Sequence, residues 1–435
     1  MGSEDTHGDA NALLAEISGI GVDEIRGGYS RSVFSSPELQ LRDWFVGHAR
    51  ARGLAVETDG NGIIWAWWDV APANTAMPDD AARPGQSGAT GAALPADPDR
   101  AGAILTGSHL DSVPGGGNYD GPLGVASALA AVDVLRDRGI APSRSLAVAV
   151  FPEEEGSRFG LACLGSRLMV GAADPDAVRA LTDDTGISYA EAATAAGFDP
   201  TRIRADAEGL ERISAFVELH VEQGRGLIDE DRPVALAGGI LGHGRWHMRI
   251  EGRGDHAGAT LMADRQDPVV VAAAAIQSLR EQALVVPGAR GTIGRINVTP
   301  GGTNVIASAV DLWIDVRHRD DAAVARIVEA VSAETAHAGE AEGCTVTVTQ
   351  QSLSPTVDFD HDLRRRMAAV LPDAPVLDTG AGHDAGVLAS AIPTGMLFVR
   401  NPTGASHTPA EYSAPEDIAA GVLALADVLQ DLLTN

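Results

Sequence analysis

The chain has 435 residues, 45% apolar and 21% charged, a composition that suits a protein with a large core and excludes a disordered or fibrous one. Single cores stop growing well short of this length, so two domains are expected. Sixty acidic residues against 32 basic ones leave a formal charge of −28, which repels nucleic acid and anionic membrane and argues against either as a partner.

The N-terminus, Met1-Gly-Ser-Glu-Asp, is acidic and lacks an apolar signal region. The longest apolar runs, such as residues 145–151, fall far below the roughly 20 residues that cross a bilayer. A cytoplasmic protein is the expectation. Helical spacing covers Ala10–Ser18, and Ser36-Pro37-Glu38 resembles a cap for a helix running to about Arg52. Strands are predicted at Ala55–Thr58 and Gly62–Asp69 around the turn Asp59-Gly60-Asn61, with the tryptophans at 65, 67 and 68 read as sheet packing. Residues 71–100, rich in Ala, Pro, Gly and Asp without a period, read as a mobile surface insertion. From Ala101 strands alternate with helices: Ala103–Thr106, the helix from about Pro122 to Arg138, Leu146–Phe151, then the strand Ala215–His220. That pattern predicts an α/β domain with a mixed sheet.

Beyond Gly238–Gly242 the texture changes. Strands at Arg245–Ile250, Gly291–Val298, Val310–Val316 and Cys344–Gln350, with helices at Asp267–Leu284 and Asp321–Ala338, predict an inserted β-α-β-β-α-β unit at 240–352. Residues 1–239 and 353–435 then form one discontinuous α/β domain, completed by Leu363–Val370, Asp384–Ala389, Gly395–Val399 and the helix Pro415–Leu433. The two cysteines, Cys163 and Cys344, lie far apart outside any CxxC spacing and read as small buried hydrophobes.

Chemistry concentrates in five segments: 107–112 (GSHLDS), 116–125 (GGNYDGPLGV), 153–159 (EEEGSRF), 218–224 (ELHVEQG) and 404–409 (GASHTP). His109, Asp120, Glu154, Glu155, His220 and His407 all fall in strand-end or turn contexts, where ligands collect in open α/β sheets. Together they offer enough nitrogen and oxygen donors for two divalent ions sharing a carboxylate. A lone HxD carries little; the ensemble carries the argument. His243, His247, His318 and His337 lack such context.

These motifs resemble the M20 metallopeptidase superfamily, specifically its branch of N-carbamoyl-L-amino-acid hydrolases and allantoate amidohydrolases, over nearly the whole chain from about Gly27 and outside the insertion. The resemblance implies a zinc-exopeptidase-like catalytic domain with an inserted ferredoxin-like dimerisation and lid domain. It implies that His109 and His220 bind one ion, Glu155 and His407 the other, and that Asp120 bridges them. His220 favours this branch, since the peptidases usually place a carboxylate there. Glu154 matches the general base, Asp111 the carboxylate that orients and polarises His109. His256, in Gly254-Asp255-His256-Ala257-Gly258, matches an oxyanion-stabilising residue. Asn304 and Arg317 match the residues that hold a substrate carboxylate, while Gln223 and the turn around Gly382 complete the pocket.

The implied reaction is hydrolysis of the ureido C–N bond of an N-carbamoyl-L-amino acid to amino acid, ammonia and carbon dioxide, by a homodimer using two divalent ions per subunit. Zinc, manganese, cobalt and nickel all suit imidazole and carboxylate. Allantoate or ureidoglycolate remains an alternative substrate; a dipeptidase or aminoacylase, and a non-catalytic binding protein, are weaker ones. Where the family usually reads HAGTTPM, this chain has HAGATLM at 256–262, which loses a proline and bears on substrate identity.

Overall fold

The computed structural model describes residues 8–70 and 100–435, so the insertion expected at 71–100 lies outside the described residues except for Arg100. The Arg100 guanidinium forks onto Asp69, at 2.8 and 3.0 Å. The chain divides into two compact units: residues up to Gly238 together with Phe359–Asn435, and Gly239–Asp358.

The strands are, in chain order, β1 (Ala55–Thr58), β2 (Ile64–Trp68), β3 (Ala103–His109), β4 (Leu146–Phe151), β5 (Ile213–Val221) and β6 (Val234–Ile240). Then come β7 (Gly242–Glu251), β8 (Asp255–His256), β9 (Arg290–Thr299), β10 (Val305–Ile306), β11 (Ala309–His318) and β12 (Thr345–Ser354). The last are β13 (Val357–Asp358), β14 (Val376–Thr379) and β15 (Thr394–Val399).

In the first unit a mixed sheet runs β1-β2-β4-β3-β5-β15-β6, with β14 also on β6. β3 and β4 are buried along their whole length, which is why they read as apolar runs without alternation. The helix Pro122–Asp137 starts after Gly121 (φ +81°) with proline in its first turn, and its Ala, Val and Leu residues are buried on nearly every face. It packs against the helices Ala10–Glu16 and Pro415–Thr434 in the main core. Truncating a core residue such as Leu129, fully buried there, to alanine costs about 2–5 kcal/mol. The helix Ser36–Ala51 is capped by Ser35, one residue before the expected Ser36; the Ser35 hydroxyl accepts the Glu38 N–H. Trp65 and Trp67, two apart on β2, are buried and stack at 5.6 Å.

The second unit is a four-stranded antiparallel sheet, β12-β7-β11-β9, with the helices Pro268–Val285 and Asp321–Glu342 on one face. Alternate residues of β7 and β11, among them Trp246, Met248, Ile250, Leu312 and Ile314, enter a core with Val271, Leu279, Val324 and Ile327. β8 and β10 pair as a separate two-stranded arm that sets His256 opposite Val305.

Candidate metal centre

Four adjacent strands of the first unit, β4-β3-β5-β15, run parallel, so their carboxyl ends open along one edge. β3 ends on His109, β5 carries His220 one residue before its end, and Glu154 and Glu155 lie just past β4. The loop after β15 brings His407.

Asp120 is the hub of these groups. Its Oδ1 lies 3.2 Å from His220 Nε2 and 3.5 Å from His109 Nε2. Its Oδ2 lies 3.3 Å from His407 Nε2, and Glu155 Oε2 is 3.3 Å from that same nitrogen. The structure therefore gathers two sets of donors, His109-Asp120-His220 and Asp120-Glu155-His407, on the two oxygens of one carboxylate.

Whether these residues suit divalent ions can be judged from their geometry. His109 Nδ1 is 3.0 Å from the main-chain oxygen of Asp111, and His220 Nδ1 is 2.9 Å from that of Val221. A carbonyl can only accept, so each Nδ1 carries a proton and each Nε2 is left to offer a lone pair. His109 Nε2 is buried without a hydrogen-bond partner, facing carboxylate oxygens that are themselves lone-pair donors. Such an arrangement is costly unless a proton or a cation lies between. Ligand atoms on a tetrahedral ion with bonds of ~2.0–2.1 Å sit about 3.3–3.4 Å apart, which is the spacing found here. The residues fit.

Without a cation, protons take its place. Burial opposes charge on His109, yet Glu154, Asp111 and Asp120 hold its pKa well above the ordinary value; Asp120 likewise raises buried His220. Despite its own burial, the three imidazoles that face it, His109, His220 and His407, keep Asp120 well below the usual carboxylate range. Burial and the charge on Asp120 push Glu155 up to about 7.

The Asp120 loop is pinned from several sides. Glu411 Oε1 accepts the main-chain N–H groups of Tyr119 (3.1 Å) and Asp120 (3.0 Å), and the buried Arg31 donates to Asn118 Oδ1 at 2.9 Å. Gly121 donates its N–H to His220 Nε2 at 3.2 Å. A Cβ on Gly121 would come within 2.5 Å of His109 Cε1, and one on Gly117 would strike Glu411 Oε1. Both positions need glycine because of close approach.

Glu154 and Glu155 do not continue β4 as an extended run. Glu153 turns the chain into a bend at φ +54°, and its own buried carboxylate accepts the N–H groups of Arg158 and Phe159. The Asp111 carboxylate accepts from the N–H groups of Glu154 and Glu155, both at 3.2 Å, and is 3.5 Å from His109 Nδ1. It thus orients the two glutamates more directly than it does the imidazole. Glu155 turns to His407, while Glu154 presents Oε2 3.7 Å from His109 Nε2 and belongs to neither set of donors. Burial raises Glu154 well above its ordinary pKa; His109 opposes the shift, while Asp384 and Glu155 add to it.

Residues 105–431 match the model of peptidase family M20/M25/M40. The chain belongs to this family. It is 34% identical over 412 residues to the N-carbamoyl-L-amino acid amidohydrolase of Geobacillus stearothermophilus, covering 94% of each chain. It is 30% identical over 429 residues to the allantoate amidohydrolase of Escherichia coli (strain K12), covering 96% of each. A crystal structure of a hydantoinase/carbamoylase family amidase from Burkholderia ambifaria superposes with a TM-score of 0.82, at 29% identity and 98% coverage of both chains.

Around the centre of this M20 chain, Gln223 donates its amide to Asp120 Oδ2 (2.9 Å) and Ser406 Oγ (2.8 Å). Gly382 precedes the helix Asp384–Leu388, and a Cβ there would meet open space, so packing does not demand glycine. In the second unit the Asn304 main-chain oxygen accepts the N–H of Ala257, next to His256, whose Nδ1 accepts the N–H groups of Gly258 and Ala259. Arg317 on β11 forks onto Asp315 at 2.7 and 3.0 Å.

Three carboxylates and a histidine here carry contacts to which the sequence assigned no individual role, although Glu218 lies in the 218–224 segment and His383 and Asp384 lie in the turn around Gly382. Glu411 follows the 404–409 segment that supplies His407. Glu218 lies two residues before His220 on β5, hence on the same face, and accepts from Ser108 Oγ (2.7 Å) and the Ala385 N–H (3.0 Å). His383, held neutral by burial and His220, stands 4.5 Å from the His220 ring and forms a third potential donor group with Glu218 and His220. Asp384 accepts from Ser166 Oγ at 2.5 Å.

Proposed function

We propose that this M20 chain is a two-metal amidohydrolase that cleaves the carbamoyl C–N bond of an N-carbamoyl-L-amino acid, consuming one water and releasing amino acid, ammonia and carbon dioxide. The observation that carries the reading is the division of Asp120: each of its oxygens faces a different set of donors, and a buried glutamate outside both sets stands beside them. In this reading His109, His220 and Asp120 hold one ion; Glu155, His407 and Asp120 hold the other. Zinc, manganese, cobalt or nickel would each satisfy such donors. Bound there, the ions would acidify water and polarise the scissile carbonyl.

Glu154 takes the proton from the attacking water and passes it to the leaving nitrogen; its raised pKa brings it closer to a group that must both accept and donate near neutrality. Asp111 holds Glu154 and Glu155 in register through their main-chain N–H groups. Gln223, already hydrogen-bonded to Asp120, and the open turn at Gly382 belong to the substrate pocket. For His256 as the oxyanion donor, and Asn304 and Arg317 as the holders of the substrate carboxylate, the proposal rests on the family resemblance. So does the role of the second unit as a ferredoxin-like lid and dimerisation domain; its exposed Leu284, Val285, Ile296 and Val298 support an association surface. Among the described residues no helix is long and apolar enough to cross a membrane; a cytoplasmic site of action is part of the proposal.

The Escherichia coli allantoate amidohydrolase, matched over 96% of both chains, favours allantoate as the second reading. The test is an ammonia-release screen of metal-reconstituted protein against N-carbamoyl-L-amino acids, allantoate, ureidoglycolate and dipeptides. Carbamoyl-L-amino acids are expected to give the highest kcat/KM, and Glu154→Gln is expected to lower it by about 10²–10⁴-fold while keeping its metal. Cleavage of dipeptides with no ammonia from any ureido compound would overturn the reading.

A further inference from the structure

Cys163 has a closer engagement with the site than a small buried hydrophobe needs. The residue is 4% exposed, and its Sγ lies 3.3 Å from Glu154 Oε1. Its N–H donates to the Glu154 main-chain oxygen at 2.7 Å, and the next N–H, of Leu164, donates to that of Glu153 at 3.1 Å. The turn is therefore stitched to the glutamate run through both main chain and side chain. Cys163 holds this place in left-handed backbone, φ +55° and ψ +37°, a conformation that disfavours any residue with a β-carbon. Among the described residues no other group donates a hydrogen bond to the Glu154 carboxylate, whose second oxygen faces His109.

We infer that Cys163 is a positioning residue for proton transfer: its thiol donates to Glu154 Oε1 and fixes the rotation of the carboxylate so that Oε2 is presented on the side of His109. The inference rests on the reading of Glu154 as the base. A glutamate's terminal torsion is broad, so a carboxylate without a donor samples many orientations. A strong O–H or N–H donor would fix it but also stabilise the anion and blunt its basicity. The weak S–H donor orients the group at a smaller loss of basicity. Burial and the neighbouring Glu154 and Asp384 charges hold the thiol well above its ordinary pKa, so it keeps the proton it donates.

The test compares Cys163→Ala, Cys163→Ser and Glu154→Gln in a Cys344→Ala background, which leaves Cys163 as the single thiol. Cys163→Ala is expected to lower kcat roughly tenfold, the value of one lost hydrogen bond. KM and bound metal should stay within about twofold, and Cys163→Ser, whose stronger O–H donor orients the carboxylate but stabilises its anion, should restore only part of the kcat. In infrared spectra the S–H stretch of Cys163 should lie below that of a free thiol and shift upward in Glu154→Gln. Parental kcat in Cys163→Ala, or an S–H band unmoved by Glu154→Gln, overturns the inference. Should Cys163→Ala fail to fold, the infrared comparison decides alone. Parental turnover in Glu154→Gln would instead sink the assignment of the base, a result separate from the spectroscopic one.

Discussion

In the metal-free protein His407 keeps a proton that an ion would have to displace. The hydrogen bond to Asp120, opposed by partial burial and reinforced by Glu155, pushes its pKa from 6.5 up to about 9. A cationic group whose pKa is raised on folding adds stability that is complete below pH 6.5 and lost as pH climbs through 9. Thermal melts of the metal-free protein should therefore show this contribution fading between those limits, and His407→Ala should remove that part of the slope. Ion affinity runs the other way, rising with pH until the proton is gone; competition with a chelator across the same range measures it. Asp120 and the four side chains gathered around it, His109, His220, Glu155 and His407, were visible in the sequence because each falls shortly past or at the end of a predicted strand or in a turn. Glu411, Glu218 and Cys163 were given no such place: Glu411 and Glu218 meet main-chain groups remote in sequence, at Tyr119 and Ala385, and Cys163 meets the Glu154 side chain only through the turn between them. Asp111 was assigned to His109 alone for the same reason; the N–H groups that it accepts from belong to the segment after β4.

Local elements were legible where the pattern was strong. β4 and the helix Pro122–Asp137 match their expected bounds closely, since an unbroken apolar run and a glycine-proline start leave few alternatives. β6, with the sequence VALAGGI, was missed; its glycines and lack of alternation hide a strand that is buried throughout. The short helices Leu164–Met169, Pro175–Ala180 and Tyr189–Ala195 were missed too, because their ordering comes from packing on Val33 and Phe159 more than from their own period. The junction between the Asp120 loop and the helix it leads into is where an element and the site meet. Gly121→Ala would force a side chain into left-handed backbone and against the His109 ring. Its expected effect is a loss of ion affinity of at least tenfold, read by calorimetric titration, with far-ultraviolet circular dichroism unchanged; parental affinity would contradict the reading of that close approach.

The two units divide the proposed labour: the first carries every metal-ligand candidate, the second the antiparallel sheet with exposed apolar residues on the helix Pro268–Val285 and on β9. If that surface joins two copies, light scattering of the purified protein will give twice the chain mass of 44.8 kDa, and Leu284→Asp with Ile296→Asp will shift it toward one. A monomeric parent would remove the dimer from the proposal and leave the metal chemistry intact. The metal and proton-transfer assignments of the first unit depend instead on Asp120 serving two ions. Counting ions taken up by the metal-free chain tests that most directly. Two per chain are expected in the parent, one in His407→Ala, and neither at parental affinity in Asp120→Ala. An Asp120→Ala protein that still fills two sites as tightly as the parent would contradict the account.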